Sequence, residues 1–278
     1  MLRKIGIRNS LIYLLCIAIV YFTFIYKTPV ETVTAKSTTY YDKVTFRGIY
    51  FSKEAVVSKE KSINSEEDGY RVAKGEKLNE EFKSPEAGVY IGNVDGYENK
   101  YNLNNIKSLS LTELDKIIGY TGVAKGIKII DPDNVFIYCF INKEGSFKKD
   151  QIFMLEVGNK KYKSIVVDTI SKKEGTFLTL KLINGLDFQG LKRGVSGSLI
   201  KAEYKGFNIP SSAIKVFDTG YKVFVRKTNG YVDEKSVNVL YDDGKNSVVV
   251  PKVGSTLKEY DNIIVNPGSS LKEGSRVR

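Results

Sequence analysis

The body of this chain is cut into short segments that alternate apolar and polar residues or run in β-branched ones. "VTFRGIYF" (44–51), "GIKIIDPDNVFIYCFI" (126–141), "QIFMLEVGN" (151–159), "KYKSIVVDTI" (161–170) and "TFLTLKLI" (176–183) are the clearest, and Gly, Asn or Asp turns separate them. β-Branched and aromatic side chains fit a pleated, half-buried surface. Segments of this length and spacing suggest barrels and sandwiches. "KEGT" (173–176) reads as a hairpin turn between two of them. The fold class expected is all-β.

One helix stands apart, in "SLTELDKIIG" (110–119). Ser110 is placed to cap it, with Glu113 three residues on to complete a capping box. Leu111, Leu114, Ile117 and Ile118 form one apolar stripe, and Gly119 ends the helix. So short a helix needs tertiary support, so the stripe reads as core packing.

The amino-terminal region carries Arg3, Lys4 and Arg8, then an uncharged stretch from Asn9 to Tyr26, then Lys27. At 1.5 Å per residue this stretch is long enough to span a bilayer core. The basic flank predicts a cytoplasmic amino terminus and an extracytoplasmic body. Tyr21, Phe22, Phe24 and Tyr26 cluster at the outer end, as an interfacial aromatic belt does. "VTAK" (33–36) is a poor cleavage signal and too far from the apolar run, and Leu15 ahead of Cys16 does not suit lipoprotein processing. The expectation is an uncleaved single-pass anchor at 9–26, followed by a Thr- and Ser-rich spacer at 27–43.

The 278 residues carry 43 Lys and Arg against 32 Asp and Glu, a net charge of +11. The lysines are dispersed and no aromatic-plus-basic RNA-binding signature occurs, so nucleic acid is not an expected partner. An anionic envelope polymer or lipid headgroup is compatible with the charge. Histidine is absent, which removes the commonest general base and the commonest metal ligand. Cys16 lies in the apolar stretch and Cys139 in mid-strand, an implausible disulfide pair. Glu66–Glu67 and Asp242–Asp243 read as solvated loop pairs rather than paired catalytic carboxylates. Ser196 and Ser198 in "GVSGS" lack the strand–turn–helix context and the histidine of a nucleophile elbow. No catalytic residue, cofactor or metal site is expected.

"GYRVAKGEKLNEEFKSPEAGVYIGNVDGYE" (69–98) reads as two short ribbons with glycines at the turns. Val72 and Leu78 can face inward, with Lys74 and Gly75 at a tight turn. Gly88 allows close strand approach, and Asp95–Gly96 forms a further turn. These halves resemble the flattened sandwich of lipoyl and biotinyl carrier domains. Lys74 lacks the flanks of a modified carrier lysine and is read as a turn lysine.

The same halves also resemble those of membrane fusion proteins, the HlyD-like periplasmic adaptor subunits of efflux and secretion systems. "GFNIPSSAIKVFDTGYKVFVR" (206–226) is similar to that family's "IP–x–x–A" turn and hairpin, with Pro210 and Ala213 in the matching places. "VNVL" (237–240), "LKEYDNIIVNP" (257–267) and "LKEGSRV" (271–277) match the remainder, with Tyr260–Asp261 where the family usually has Gly-Asp. The resemblance implies a barrel-sandwich hybrid (44–100), a helical linker (101–120), a β-barrel (126–204) and a membrane-proximal β-module (205–278). Family members often insert a long helical hairpin between the two halves. Here only "NEEFK" (79–83) joins them, too short for two turns of helix. The implied function is a non-enzymatic adaptor beside a membrane transporter, such as an ABC-type permease, in a ring of copies. A cell-envelope scaffold in wall assembly or division is the alternative. The structural turn positions singled out are Gly75, Gly88, Gly96 and Pro210.

Overall fold

The computed structural model describes residues 14, 15, 17, 29–60, 68–142, 146–183, 185, 187 and 192–278. The expected anchor, apart from Leu14, Leu15 and Ile17, lies outside these residues, as do Cys16 and the Glu66–Glu67 pair. Among the described residues no helix is long and apolar enough to cross a membrane.

Sixteen strands follow one another along the described chain: β1 (Thr32–Thr34), β2 (Ser37–Phe51), β3 (Glu54–Ser58), β4 (Arg71–Val72), β5 (Gly88–Val94), β6 (Ala124–Ile130), β7 (Phe136–Ile141), β8 (Ile152–Val157), β9 (Lys160–Lys172), β10 (Gly175–Leu182), β11 (Gly194–Pro210), β12 (Ile214–Phe217), β13 (Gly220–Arg226), β14 (Val232–Asp242), β15 (Asn246–Pro251) and β16 (Asn262–Ile264). An α-helix, α1 (Leu111–Ile118), lies between β5 and β6. The expected all-β class is what the chain adopts. It divides into a larger unit, Tyr41–Ala202, and a second unit made of Glu203–Arg278 with the residues up to Tyr40.

In the larger unit, six strands in the order β11-β2-β7-β10-β9-β8 close into a barrel, because β8 also pairs with β11. The barrel interior is filled by Phe46, Tyr50, Ile137, Cys139, Leu178, Leu180, Leu155 and Leu199. The alternate residues Ile49, Phe51, Tyr138, Phe140 and Phe177 point the other way. They are covered by Leu114 and Ile117 of α1, with Ile106 and Leu109 ahead of it. This explains why "FIYCFI" shows no alternation: β7 is buried on both faces. The capping box of α1 forms as expected, with Ser110 accepting from the Glu113 N–H and Glu113 accepting from the Ser110 N–H. The hairpin between β9 and β10 turns at the expected "KEGT".

The four-stranded sheet of the larger unit has the order β3-β6-β5-β4. Val72, Leu78, Tyr90, Ile127 and Ile129 make one of its faces. Val89, Ile91 and Ile130 on the other join the barrel's apolar cluster. "NEEFK" forms a compact turn. Leu78 N–H donates to Phe82 O at 2.9 Å, and Asn79 Oδ1 accepts from the N–H groups of Glu81 and Phe82.

The second unit is a half-barrel in the order β1-β16-β13-β14-β15-β11, with β12 paired to β13. Its core packs Ile209, Ala213, Val223, Val225, Val237, Val249 and Ile263. A smaller cluster holds Phe224, Val232, Ile264 and Val277, with Val30 against it. The "IP–x–x–A" segment runs off the end of β11 through a 3-10 turn at Ser211–Ala213. Ile209 and Ala213 are buried there, and the β12–β13 hairpin follows.

Three segments differ from the expected division. Residues 27–43 were expected as a spacer, yet Thr32–Thr34 pairs with Asn262–Ile264 and β2 begins at Ser37. Their Thr, Val and Tyr residues are strand formers once a partner edge is supplied, and Ala35 between them is fully buried. "VTFRGIYF" belongs to the closed barrel, paired with β7, rather than to the sheet of the two ribbons. β6, expected to open the barrel, instead fills the centre of the four-stranded sheet between β3 and β5. The Asp131–Asn134 turn, where Asp131 accepts from Asp133 N–H, separates it from β7.

Candidate functional site

The most unusual chemistry of the larger unit is a buried cluster of charge between its sheet and its barrel. Glu54 opens β3, Lys128 lies in β6, Asp95 follows β5, and Arg193 precedes β11. All four are buried, Lys128 at 1% exposure. The Arg193 guanidinium donates to both oxygens of Glu54, the Nη2–Oε2 bond being 2.9 Å. It also donates from Nε and Nη2 to Asp95, at 2.9 and 3.0 Å. Its remaining face lies 4.5 Å from the Tyr50 ring centroid. Lys128 Nζ sits 3.1 Å from Glu54, 3.3 Å from Glu98 and 4.0 Å from Asp95. A planar guanidinium with five fixed donors can serve two carboxylates at once, which an ammonium cannot.

Backbone groups fix the carboxylates in turn. Asp95 accepts from Tyr97 N–H at 3.0 Å, and Glu98 accepts from Asp95 and Gly96 N–H at 2.7 and 3.0 Å. Asn99 Oδ1 accepts from Glu54 N–H at 2.9 Å. Burial pushes the Asp95 carboxyl up, but the hydrogen bonds and charge of Arg193, with Lys128 behind them, hold it below the usual range. Burial pulls Lys128 down, and the surrounding anions keep its ammonium above the ordinary value. Burial raises the Tyr50 phenol. Asp95 and Lys128 are thus both held in the charged form. Such a cluster is a fastener: three carboxylates and two cations lock the sheet to the barrel in one register.

An open cleft of about 650 Å³ lies beside this junction, lined in part by Phe51, Tyr101, Phe136, Asn102, Asp131 and Asn134. Its polar groups serve its own walls. Asn134 Nδ2 donates to Asp131 at 3.0 Å, Lys181 donates to Asn134 at 3.0 Å, and Asn102 Oδ1 accepts from Asn104 N–H at 2.9 Å.

The residues singled out in the sequence are dispersed. Gly75, at φ +80°, turns the first ribbon, with Lys74 exposed beside it. Gly96, at φ +77°, follows Asp95 at the edge of the charge cluster. Gly88 heads β5 rather than a turn, and a Cβ there would lie 2.5 Å from Ile130 O and 2.7 Å from Ile129 Cγ2. Pro210 ends β11 opposite Asn246. Ser196 and Ser198 sit within β11, and Asp242–Asp243 lie at the β14–β15 turn, accepting backbone and Ser211 hydrogen bonds. Among the described residues no group of three or more His, Cys, Asp or Glu is arranged to hold a metal ion. Cys139 is fully buried, and burial pushes its thiol up to about 12. Sequence reasoning missed Glu54, Glu98, Lys128 and Arg193. The signal available was Lys128, a lone cation inside the apolar run "GIKII".

No family model matches the chain, and no curated protein matches it. Among solved structures it is similar to the crystal structure of ZneB from Cupriavidus metallidurans, at 13% identity and a TM-score of 0.28, over 88% of this chain and 94% of that one.

Proposed function

We propose that the chain is a non-enzymatic, membrane-anchored extracytoplasmic adaptor that works beside a membrane transporter, in the manner of HlyD-like membrane fusion proteins. The observation that carries this reading is the weave of the half-barrel. Val30 and β1, a few residues after the apolar stretch 9–26, are built into the half-barrel. β1 pairs with β16, and Val30 N–H donates to Arg278 O at 3.2 Å. An anchor in that stretch would hold the half-barrel at the membrane surface, as an adaptor's membrane-proximal module requires. The fastened interior of the larger unit and the built "IP–x–x–A" turn fit a protein that works through rigid surfaces.

Crosslinking in intact cells, followed by purification of the tagged chain from solubilised membranes, tests the proposal. A permease recovered in near-equal amount is the expected result. Wall-synthesis or division proteins without a permease would overturn transport and leave an envelope scaffold.

A further inference from the structure

The β12–β13 hairpin of the half-barrel carries apolar side chains where a solvated turn would carry polar ones. Val216 is 76% exposed, Phe217 38% and Tyr221 45%. Val216 and Tyr221 are cross-strand partners on one face of the hairpin. Phe217 lies on the other, its ring 6.5 Å from that of Phe224. Lysines lie behind this tip and are held within the half-barrel: Lys222 Nζ sits 4.8 Å from the Phe217 centroid and pairs with Glu234, and Lys215 Nζ sits 5.7 Å from that of Phe224 and donates to Gly268 O at 2.6 Å.

Strand register ties the tip to the entry of the chain. β1 and β13 flank β16 and run in the same direction. Thr32 lies opposite Ile264, and Val225 opposite Ile263, so Thr32 is level with Phe224. From that level β13 runs back to its turn at Gly220, and the chain ahead of Thr32 heads the same way. Val30 packs in the same apolar cluster as Phe224. Only Lys27, Thr28 and Pro29 separate Tyr26 from Val30, and four residue steps span at most about 14 Å.

We infer that the β12–β13 hairpin is a lipid contact, with Val216, Phe217 and Tyr221 seated in the headgroup region. The inference rests on the membrane anchor of the proposed function. Exposed apolar and aromatic side chains at a hairpin tip match the interface, where rings are buried and the tyrosine hydroxyl stays wet. A short tether ending one ring away leaves the bilayer as the surface the tip meets.

The chain contains no tryptophan, so one introduced tryptophan reports alone. The full chain carrying Val216→Trp, or Tyr221→Trp as a second reporter, is reconstituted into phosphatidylglycerol–phosphatidylcholine vesicles with brominated acyl chains. Tyr260→Trp is the control. Tyr260 is 70% exposed and lies at the opposite end of the same ladder, where its N–H donates to Ala35 O. The expected result is emission shifted to shorter wavelength and quenched by the brominated lipid at 216 and 221, and unquenched at 260. Vesicle-bound protein with no quenching at 216 or 221 overturns the lipid contact and leaves the anchor standing. Quenching that appears only at 260 overturns it as well. Protein that fails to float with vesicles overturns the anchor itself, and the inference with it.

Discussion

The larger unit buries Glu54, Asp95, Lys128 and Arg193, whereas Ser247 is the buried polar side chain described in the half-barrel. The ion pairs of the half-barrel stay partly exposed, as Lys222–Glu234 does at 21% and 22%. The larger unit has two sheets to join, and apolar side chains alone slide past one another with little directional preference. A guanidinium shared between carboxylates from β3 and from the end of β5 admits one alignment. The half-barrel is a single curved sheet whose register its own backbone ladder sets, so it needs no such fastener. Buried charge here marks a joint between sheets.

Removing one charge from each unit tests that contrast most severely. Arg193→Met strands Glu54 and Asp95 in the interior, and breaking a buried network in this way costs roughly 3–5 kcal/mol. Lys222→Met breaks a surface pair and should cost less than about 1 kcal/mol. Cys139 is a reporter for the larger unit: fully buried, in β7, its thiol raised by burial. In a Cys16→Ser background, Arg193→Met should speed its labelling by a thiol reagent, and Lys222→Met should leave the rate unchanged. Equal rates in the two variants would end the comparison.

Gly88→Val probes the same joint through the backbone. The added side chain meets the β6 carbonyl of Ile130 and the side chain of Ile129. Overpacking against a strand should cost about 1–3 kcal/mol, read as a lower denaturation midpoint. Gly75→Ala meets nothing within 4 Å, and only its φ of +80° resists the methyl group. That penalty is about 1–2 kcal/mol. A Gly75 variant less stable than the Gly88 variant would mean that the sheet has room the structure does not show.

Acid should load the joint as well. Asp95 titrates below its ordinary value when folded, so its contribution is present above the unfolded value near 3.8 and is lost as pH falls through the folded one. Lys128 titrates above its ordinary 10.5, so its share is complete below that and is lost as pH rises further. Near-ultraviolet dichroism of the tyrosines should therefore hold steady from about pH 5 to 9 and weaken below about pH 4, since the unperturbed aspartate value is near 3.9. With Arg193→Met the acid limb should shallow, because Asp95 loses the partner that depresses it. An unchanged limb would show that other carboxylates govern acid unfolding.

These contrasts also explain what could be read from the sequence. Helix α1 was legible because Ser110 and Glu113 act across three residues and Gly119 follows directly. The hairpins were legible for the same reason. The charge cluster was not, because Glu54 and Arg193 stand 139 residues apart and neither has a local pattern that asks for the other. Residues 32–34 looked like spacer because their partner strand lies at 262–264. The candidate site was therefore almost wholly hidden, and only Asp95 was noticed, for its turn. That residue does both jobs, accepting from Tyr97 N–H while it holds Arg193.

Tyr260 offers the smallest and most diagnostic change, because a local rule and a tertiary contact compete there. It adopts φ +71°, a conformation that costs an L-residue about 1–2 kcal/mol. The half-barrel holds it there from both sides. Tyr260 N–H donates to Ala35 O at 2.7 Å, and Ala35 N–H donates to Asp261 O at 2.8 Å. The side chain is 70% exposed, so little packing is lost on removing it. Tyr260→Gly relieves the strain but frees the unfolded chain, which offsets about 0.4–1 kcal/mol of the gain. The net expectation is a stabilisation of between zero and about 1.6 kcal/mol, measured as a small rise in the denaturation midpoint without change of slope. A loss instead would mean that the tyrosine ring makes a contact worth more than its strain, and the β1–β16 edge would then be the place to find it.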